Sequence, residues 1–552
     1  MGAKTSKIDY NRYVPYKDMV TNSVYEINNL VYINKKQYKI DTCLQSNDDI
    51  CLKFSENCFM LMKYEDILMS KFTCIKHAVN GTSEWQLILT TFPIIKRRRR
   101  LVQVLLTYNC EDVVKNANKF IIKKITASRA PHLTTHVIRS RRHVLVIVNP
   151  FSGQKRGLKL WETYVEPILQ IANIDYDIIK TVHQKHAVKI AKNLKLDNYD
   201  AVATVSGDGL MLEVISGFLM RQDRERALKM PLAHIPGGTS NGLAASICFQ
   251  CKSDILFQLL FLLSFLSAGW CEPFPPRGIF CTEMAVMLAR PRYLPLRISH
   301  VQTEHDGSKA MFMSLTCGLI ADIDIGSERF RWAGMARMHM EAFLRVAKLP
   351  QVARYKGRIS YLPVHDDALQ CSAKLWNDLK REKYAKGHFE YQPVESFMDS
   401  GCNGPSGSIR NRFPVFGSDD LVQVPALCEP VGSDWDMLEG YFVYVCLTSL
   451  SHLGSDVPYL PCARLDDDFL YLTYVDWNNV KSRFEVAKMM LGMNDCSHLI
   501  YSFLQIVPVR ACRVEPLGNC GGYIAVDGEP ITSGSAFQVI PTRHCATVIG
   551  RN

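Results

Sequence analysis

No apolar run in these 552 residues is long enough to cross a bilayer: the longest, residues 255–266 (ILFQLLFLLSFL), falls short of the ~20 residues that a spanning helix needs. The N-terminus carries no apolar signal segment, and the 19 cysteines follow no repeated spacing. A secreted disulfide framework is therefore excluded, and reduced thiols in a cytoplasmic protein are expected. Cys248 and Cys251 form a lone CxxC without a second pair, which reads as buried packing rather than zinc. The Asn80-Gly81-Thr82 sequon is then irrelevant. No Walker A sequence and no nucleic-acid recognition motif occurs, so nucleic acid is not an expected partner. The net charge of +11 and a pI near 8.8 instead suit anionic partners such as nucleotide phosphates or an acidic membrane surface. With 47% hydrophobic and 22% charged residues, the chain is ordinary globular material for two or three domains.

The stretch that organises the chain is residues 199–217, YDAVATVSGDGLMLEVISG. Ala201 to Val205 is short and β-branched without alternation, as a strand buried on both faces would be. Ser206, Gly207, Asp208 and Gly209 then turn it into a helix through Leu210, Val214 and Gly217. Two further turns of this kind are present. Leu232 to Ile235 leads through Pro236, Gly237 and Gly238 to Thr239, Ser240 and Asn241, with a helix from Gly242; backbone N–H groups at such a start, with two hydroxyls, make an anion cradle. His143 to Val148 leads through Asn149, Pro150, Phe151, Ser152 and Gly153 into a helix that Pro167 kinks or restarts. Tyr176 to Lys180 is a fourth strand, followed by the loop Thr181 to Lys185 (TVHQK). Alternating strands and helices imply a parallel sheet with crossover helices.

NPFSG, VSGDGLMLEV and IPGGTSNGLA, in this order, resemble the diacylglycerol-kinase-type lipid kinases, and in detail the sphingosine kinases. The resemblance covers about 141–364 and 435–552. It implies an α/β nucleotide-binding catalytic domain (140–270) and an all-β sandwich that holds lipid (277–552). It also implies ATP and Mg2+ as cofactors and a sphingoid base as substrate. Asp208 would be the base that accepts the hydroxyl proton. Asn149, Ser206, Gly209, Gly238, Thr239 and Ser240 would hold the nucleotide, with Thr181, Val182, His183, Gln184 and Lys185 bordering adenine and ribose. Glu213 would help organise the site, with Asp208 and Glu213 as magnesium ligands. Arg331 and Arg337 match a pair that contacts phosphates, and Asp527, Gly528 and Glu529 a turn that returns to the nucleotide. Asp322 and Asp324 alternate along what reads as an extended segment, placing both on one side. By the family motif Asp324 is the partner of the sphingoid ammonium, with Ser314 nearby. On pattern alone, Asp527-Gly528 is a hairpin turn, and the two arginines are surface charge. Phe151 departs from the family, which often has a basic or small residue there, and segment 269–281 is longer than expected.

The remaining chain carries further expectations. Residues 1–25 form a tail whose opening, MGAKTS, fits N-myristoylation at Gly2. Residues 26–128 hold six strand-like runs closed by one helix, similar to a pleckstrin-homology module. Within it, Lys96 to Arg100 (KRRRR) is either a solvated loop or a contact with acidic headgroups that makes the protein peripherally membrane-associated. Glu283 to Leu288 and several later runs read as strands, interrupted by a largely disordered insert at 366–432. Residues 255–266 read as a core helix or as part of a wall admitting a lipid tail. A ceramide or diacylglycerol kinase, a non-catalytic membrane adaptor and an NAD-kinase-like enzyme are the competing readings. The oligomeric state stays open, a homodimer included.

Overall fold

The computed structural model describes residues 27–39, 42–45, 49–55, 58–76, 83–95, 98–134, 140–151, 156–251, 277–333, 336–349, 355–364, 420–518 and 522–551. Gly2, Lys96, Arg97, residues 255–266 and 269–276, and the insert up to 419 lie outside them. The chain divides into two compact units, residues 1–211, 226–295 and 546–552 in the first, and residues 212–225 and 296–545 in the second.

The first unit contains the parallel strands, in spatial order Asp175–Lys180, His143–Val148, Ala201–Ser206 and Leu232–Pro236. Every residue of Ala201–Ser206 and Leu232–Pro236 is buried, which is why these runs are apolar without alternation. Asp175–Lys180 alternates toward polarity because it forms the far end of this order. The chain end returns to the same unit, where Val548 pairs in parallel with Leu232. Between the helical segments Gly157–Leu160 and Glu166–Ile171 lies one π-helical stretch, Trp161–Val165, so the helix restarts just before Pro167 as its sequence demands. Cys248 and Cys251 are buried free thiols, and Cys251 Sγ accepts a hydrogen bond from the Arg551 N–H.

Also in this unit are small antiparallel sheets, among them the two-stranded pair Ile94–Ile95 and Arg98–Arg99. Another is five-stranded, with Ile27–Ile33 and Val102–Tyr108 near its centre; a third consists of Thr42–Gln45, Asp49–Ser55 and Cys58–Lys63. The helix Glu111–Ile125 buries Val114, Ala117, Ile121 and Ile125, one stripe at helical spacing, in a core with Leu52, Met62, Leu87, Leu89 and Val104.

Two sequence expectations fail in this unit. Residues 283–288 are helical, inside Arg277–Ala289; near-continuous burial makes that helix apolar almost all round and hides its period. The basic run is not a uniform surface patch either. Arg99 is buried, donating from Nε and Nη2 to the two oxygens of Glu283 at 2.6 and 3.0 Å, from Nη1 to Asp66, and to the Phe92 carbonyl at 2.7 Å. Arg551 joins the cluster through Glu283 at 3.1 Å, Asp66 at 3.1 Å and Glu65. Burial, reinforced by the neighbouring Asp66, pushes the Glu65 carboxyl up to about 7. Arg100 is exposed, and the Arg98 side chain lies outside the described residues.

The second unit is antiparallel. Tyr355–Pro363 and Leu470–Asp476 each pair with both long strands Asp436–Thr448 and Leu504–Pro516. These four therefore close a circuit within one hydrogen-bonded network, where the sequence reading expects a sandwich of two sheets. Ser314–Gly318 and the hairpin Ile524–Val526/Glu529–Ile531 extend it. Residues 420–432 of the expected insert are among those described. From Asp420 onward the chain is held by His300, at 3.2 Å from Asp420, and by Arg513, which donates to the carbonyls of Pro425 and Ala426 at 3.1 and 2.9 Å.

Replacing Arg99 by methionine would leave Asp66 and Glu283 short of a buried cation. Breaking such a pair costs about 3–5 kcal/mol. Denaturant unfolding should show a loss of this size, and an unchanged midpoint would contradict the cluster's role.

Candidate active site

In the first unit the glycine turns after Ala201–Ser206 and Leu232–Pro236 meet back to back. A Cβ built on Gly238 would lie 2.3 Å from the Gly207 Cα, and one on Gly207 3.3 Å from the Gly238 Cα. The Gly237 N–H donates to the Ser206 carbonyl at 2.9 Å. Asn241 locks the second turn from a left-handed backbone (φ 54°), its Oδ1 accepting from Gly238 N–H at 2.9 Å and its Nδ2 donating to the Gly238 carbonyl at 3.1 Å.

Asp208 opens the helix Asp208–Leu219 and is buried. Its two carboxylate oxygens accept the N–H groups of Gly242 and Leu243, at 2.9 and 3.0 Å, from the first turn of the helix Gly242–Gln250. The anion cradle expected at that helix start is thus occupied in part by the protein's own carboxylate, favoured there by the helix dipole. Thr239 and Ser240 stay partly exposed, whereas Ser206 is buried.

His234, which the sequence reading passed over, is fully buried on the adjacent strand. Its Nε2 lies 3.1 Å from the Ser206 carbonyl, and its Nδ1 lies 3.6 Å from Asp208 Oδ1 without a hydrogen bond. A lone imidazole in the apolar strand LAHIP was the available signal.

The other nucleotide-side candidates divide. The Asn149 Oδ1 accepts from the Phe151 N–H at 3.0 Å, shaping its own turn. Thr181 is buried and its N–H reaches the Val148 carbonyl at 2.9 Å, while Val182, His183, Gln184 and Lys185 are exposed. Glu213 is partly exposed on the Asp208 helix; five residues place the two acids about 140° apart around it. Each Asp208 oxygen accepts one amide hydrogen and keeps a lone pair for a further partner, and no group of three or more His, Cys, Asp or Glu is gathered among the described residues.

The second unit gathers its own acids. Residues 319–326 are a helix, not an extended segment, so Asp322 and Asp324 point about 200° apart rather than to one side. Asp322 is buried and accepts from the Tyr355 hydroxyl, the Tyr523 N–H at 2.8 Å and Arg345 at 3.2 Å. Asp324 carries no hydrogen bond to its carboxylate among the described residues. Burial pushes its carboxyl up to about 6, opposed by Arg337 and aided by Glu328 and Glu529.

Asp527 and Gly528 form the expected two-residue hairpin turn, both with positive φ (48° and 80°). The Asp527 carboxylate accepts three backbone N–H groups, from Phe312, Met313 and Ser314 at 2.9, 3.0 and 2.8 Å. It clamps the turn before Ser314–Gly318. Ser314 is buried beside it, and its carbonyl accepts the Asp527 N–H at 2.8 Å. Glu529 is exposed, and Gly528 approaches Asp324, a Cβ there lying 3.8 Å from Oδ2. Arg337 is buried and pairs with Glu328; the Arg331 side chain lies outside the described residues.

A diacylglycerol kinase catalytic domain matches residues 143–262. Human sphingosine kinase 1 is 31% identical over 396 residues, spanning 71% of this chain and 86% of that protein. Sphingoid long chain base kinase 4 of Schizosaccharomyces pombe is 31% identical over 395 residues, 71% of each chain. Among solved structures, a putative diacylglycerol kinase from Bacillus anthracis aligns with a TM-score of 0.44 at 15% identity, over 76% of this chain and 98% of that one.

The contact between the two turns makes a graded prediction. Gly238→Ala must push the turns apart and should abolish nucleotide binding measured by calorimetry, whereas Gly207→Ala, with a 3.3 Å approach, should weaken it less. Equal effects would show that the turns are not held against each other.

Proposed function

The chain belongs to the sphingosine kinase family, and on that footing we propose that it transfers the γ-phosphoryl group of ATP to the primary hydroxyl of sphingosine or a related long-chain base. The observation that carries the reading is Asp208, a buried carboxylate fixed by two amides of a neighbouring helix at the join of two glycine turns. Phosphoryl transfer asks the protein for little covalent chemistry and much positioning. Asp208 accepts the hydroxyl proton as the oxygen attacks phosphorus in line and the bond to the β–γ bridging oxygen breaks. Thr239 and Ser240, partly exposed beside it, bind phosphate oxygens. Magnesium would be carried by the nucleotide phosphates and completed by one or two carboxylates, for which Asp208 and Glu213 on one helix are the candidates.

Asp324 recognises the ammonium of the base. A substantially buried carboxylate without a hydrogen-bond donor is stabilised by a bound cation. Ceramide and diacylglycerol offer none. Ser314, whose turn Asp527 fixes, remains the other lipid-side residue of the proposal. Arg337 and Arg331 remain the phosphate contacts of the proposal, Arg337 exchanging Glu328 for phosphate. Residues 26–128 are proposed as a pleckstrin-homology-like module, supported by its antiparallel sheets and closing helix. Peripheral membrane association belongs to the same reading, since the acceptor lipid resides in membranes. No helix among the described residues is long and apolar enough to cross one.

Asp208→Asn should lower kcat for sphingosine about 10²–10⁴-fold with the fold retained by circular dichroism; full activity would remove Asp208 from the chemistry. Asp324 adds a pH signature. Its carboxyl is charged above about 6 and neutral below, so the attraction for the ammonium is lost as pH falls through that value. KM for sphingosine should rise about ten-fold between pH 7 and 5, and Asp324→Asn should flatten this rise. A wild-type KM independent of pH over that range would overturn the assignment.

A further inference from the structure

Two buried arginines tie three distant stretches of the first unit together. Arg99, on the short strand Arg98–Arg99, grips both carboxylate oxygens of Glu283 on the helix Arg277–Ala289 and also donates to Asp66. Arg551, just past the strand Phe537–Gly550, donates to Glu283 at 3.1 Å, to Asp66 at 3.1 Å and to Glu65. The N-terminal sheets, one helix and the chain end therefore share a single set of buried charges. Two contacts lead from it to the site. The Arg551 N–H donates to Cys251 Sγ at 3.2 Å, at the end of the helix Gly242–Gln250 whose first two amides hold Asp208. The Glu283 helix meets that same helix where Cys248 Sγ lies 3.5 Å from Met284 Sδ, and it meets the second glycine turn where Cys281 Sγ donates to the Pro236 carbonyl at 3.5 Å. Gly242 to Cys248 are all buried, so the helix shifts as one body, and a change at Cys251 is felt at the Gly242 amide.

We propose that Arg99, Glu283 and Arg551 are positioning residues for the phosphoryl transfer, through which the N-terminal sheets set the Gly242–Gln250 helix and with it the place of Asp208. The inference rests on the kinase reading. Apolar side chains of similar volume stabilise a core as well as buried ion pairs do, so what this cluster contributes is fixed geometry. A guanidinium fork sets both distance and angle to a carboxylate, which a point charge does not. Rate is sensitive to such placement, since a shift on the order of 1 Å can cost about 10²-fold.

Arg99→Lys and Arg551→Lys keep the charge and lose the fork. In the full chain each should lower kcat about ten-fold with KM for sphingosine unchanged. Hydrogen exchange read by mass spectrometry should accelerate in peptides spanning residues 236–250 and stay unchanged in the strand Asp436–Thr448. Should a lysine variant fail to fold, Glu283→Gln, which keeps the side-chain shape, carries the same readouts. Unchanged kcat in the folded variants, or exchange accelerated equally in both segments, would overturn the inference and leave the kinase reading intact. Exchange accelerated only over 236–250 in a chain that phosphorylates no lipid would keep the link from the cluster to the helix and overturn the kinase reading.

Discussion

The grip of Asp208 on the Gly242 and Leu243 amides is the constraint on which the first unit's site depends. It joins residues 34 and 35 apart in sequence and ties the end of one parallel strand to the helix that follows the next. Because a helix start presents unsatisfied N–H groups, the carboxylate is drawn to them, and its position is then set by the sheet rather than by its own loop. The Gly207–Gly238 contact is the steric counterpart, since the two turns come close enough for this grip only without a Cβ at 238. Asn241 completes the arrangement by closing the second turn on itself.

The same principle sorts the acids of the second unit. Asp527 accepts three amides and Asp322 a hydroxyl, an amide and a guanidinium, so each is held by the protein's own donors. Asp324 differs in having burial without donors among the described residues, which raises its proton affinity. The difference follows from helical geometry. Asp322 turns toward Tyr355 and Tyr523, while Asp324 turns toward the Asp527-Gly528 hairpin.

Much of the first unit was legible because Ala201–Ser206 and Leu232–Pro236 are short apolar runs that lead into glycine, each announcing a doubly covered strand and a tight turn. The strand His143–Val148 has the bounds its sequence suggests. What failed was what period and charge cannot carry. DID reads as alternation, yet Gly318, with φ of 83°, ends the strand and the next residues coil into a helix. Four arginines in a row read as surface, but the partners that bury Arg99 lie 33 and 184 residues away. The Asp527 turn was recognisable as a hairpin, whereas its carboxylate's amides, 213 to 215 residues distant, were not. Local pattern reports local geometry; the partners of a buried charge are a property of the fold.

The most direct measurement of the central claim is transfer of labelled γ-phosphate from ATP by the full chain to sphingosine, ceramide and diacylglycerol presented in identical mixed micelles. Labelling of sphingosine, with little or none on the two acceptors that lack an amine, is the predicted result. Equal or preferential labelling of ceramide or diacylglycerol would contradict it, keeping the phosphoryl-transfer site but removing Asp324 as the group that chooses the lipid.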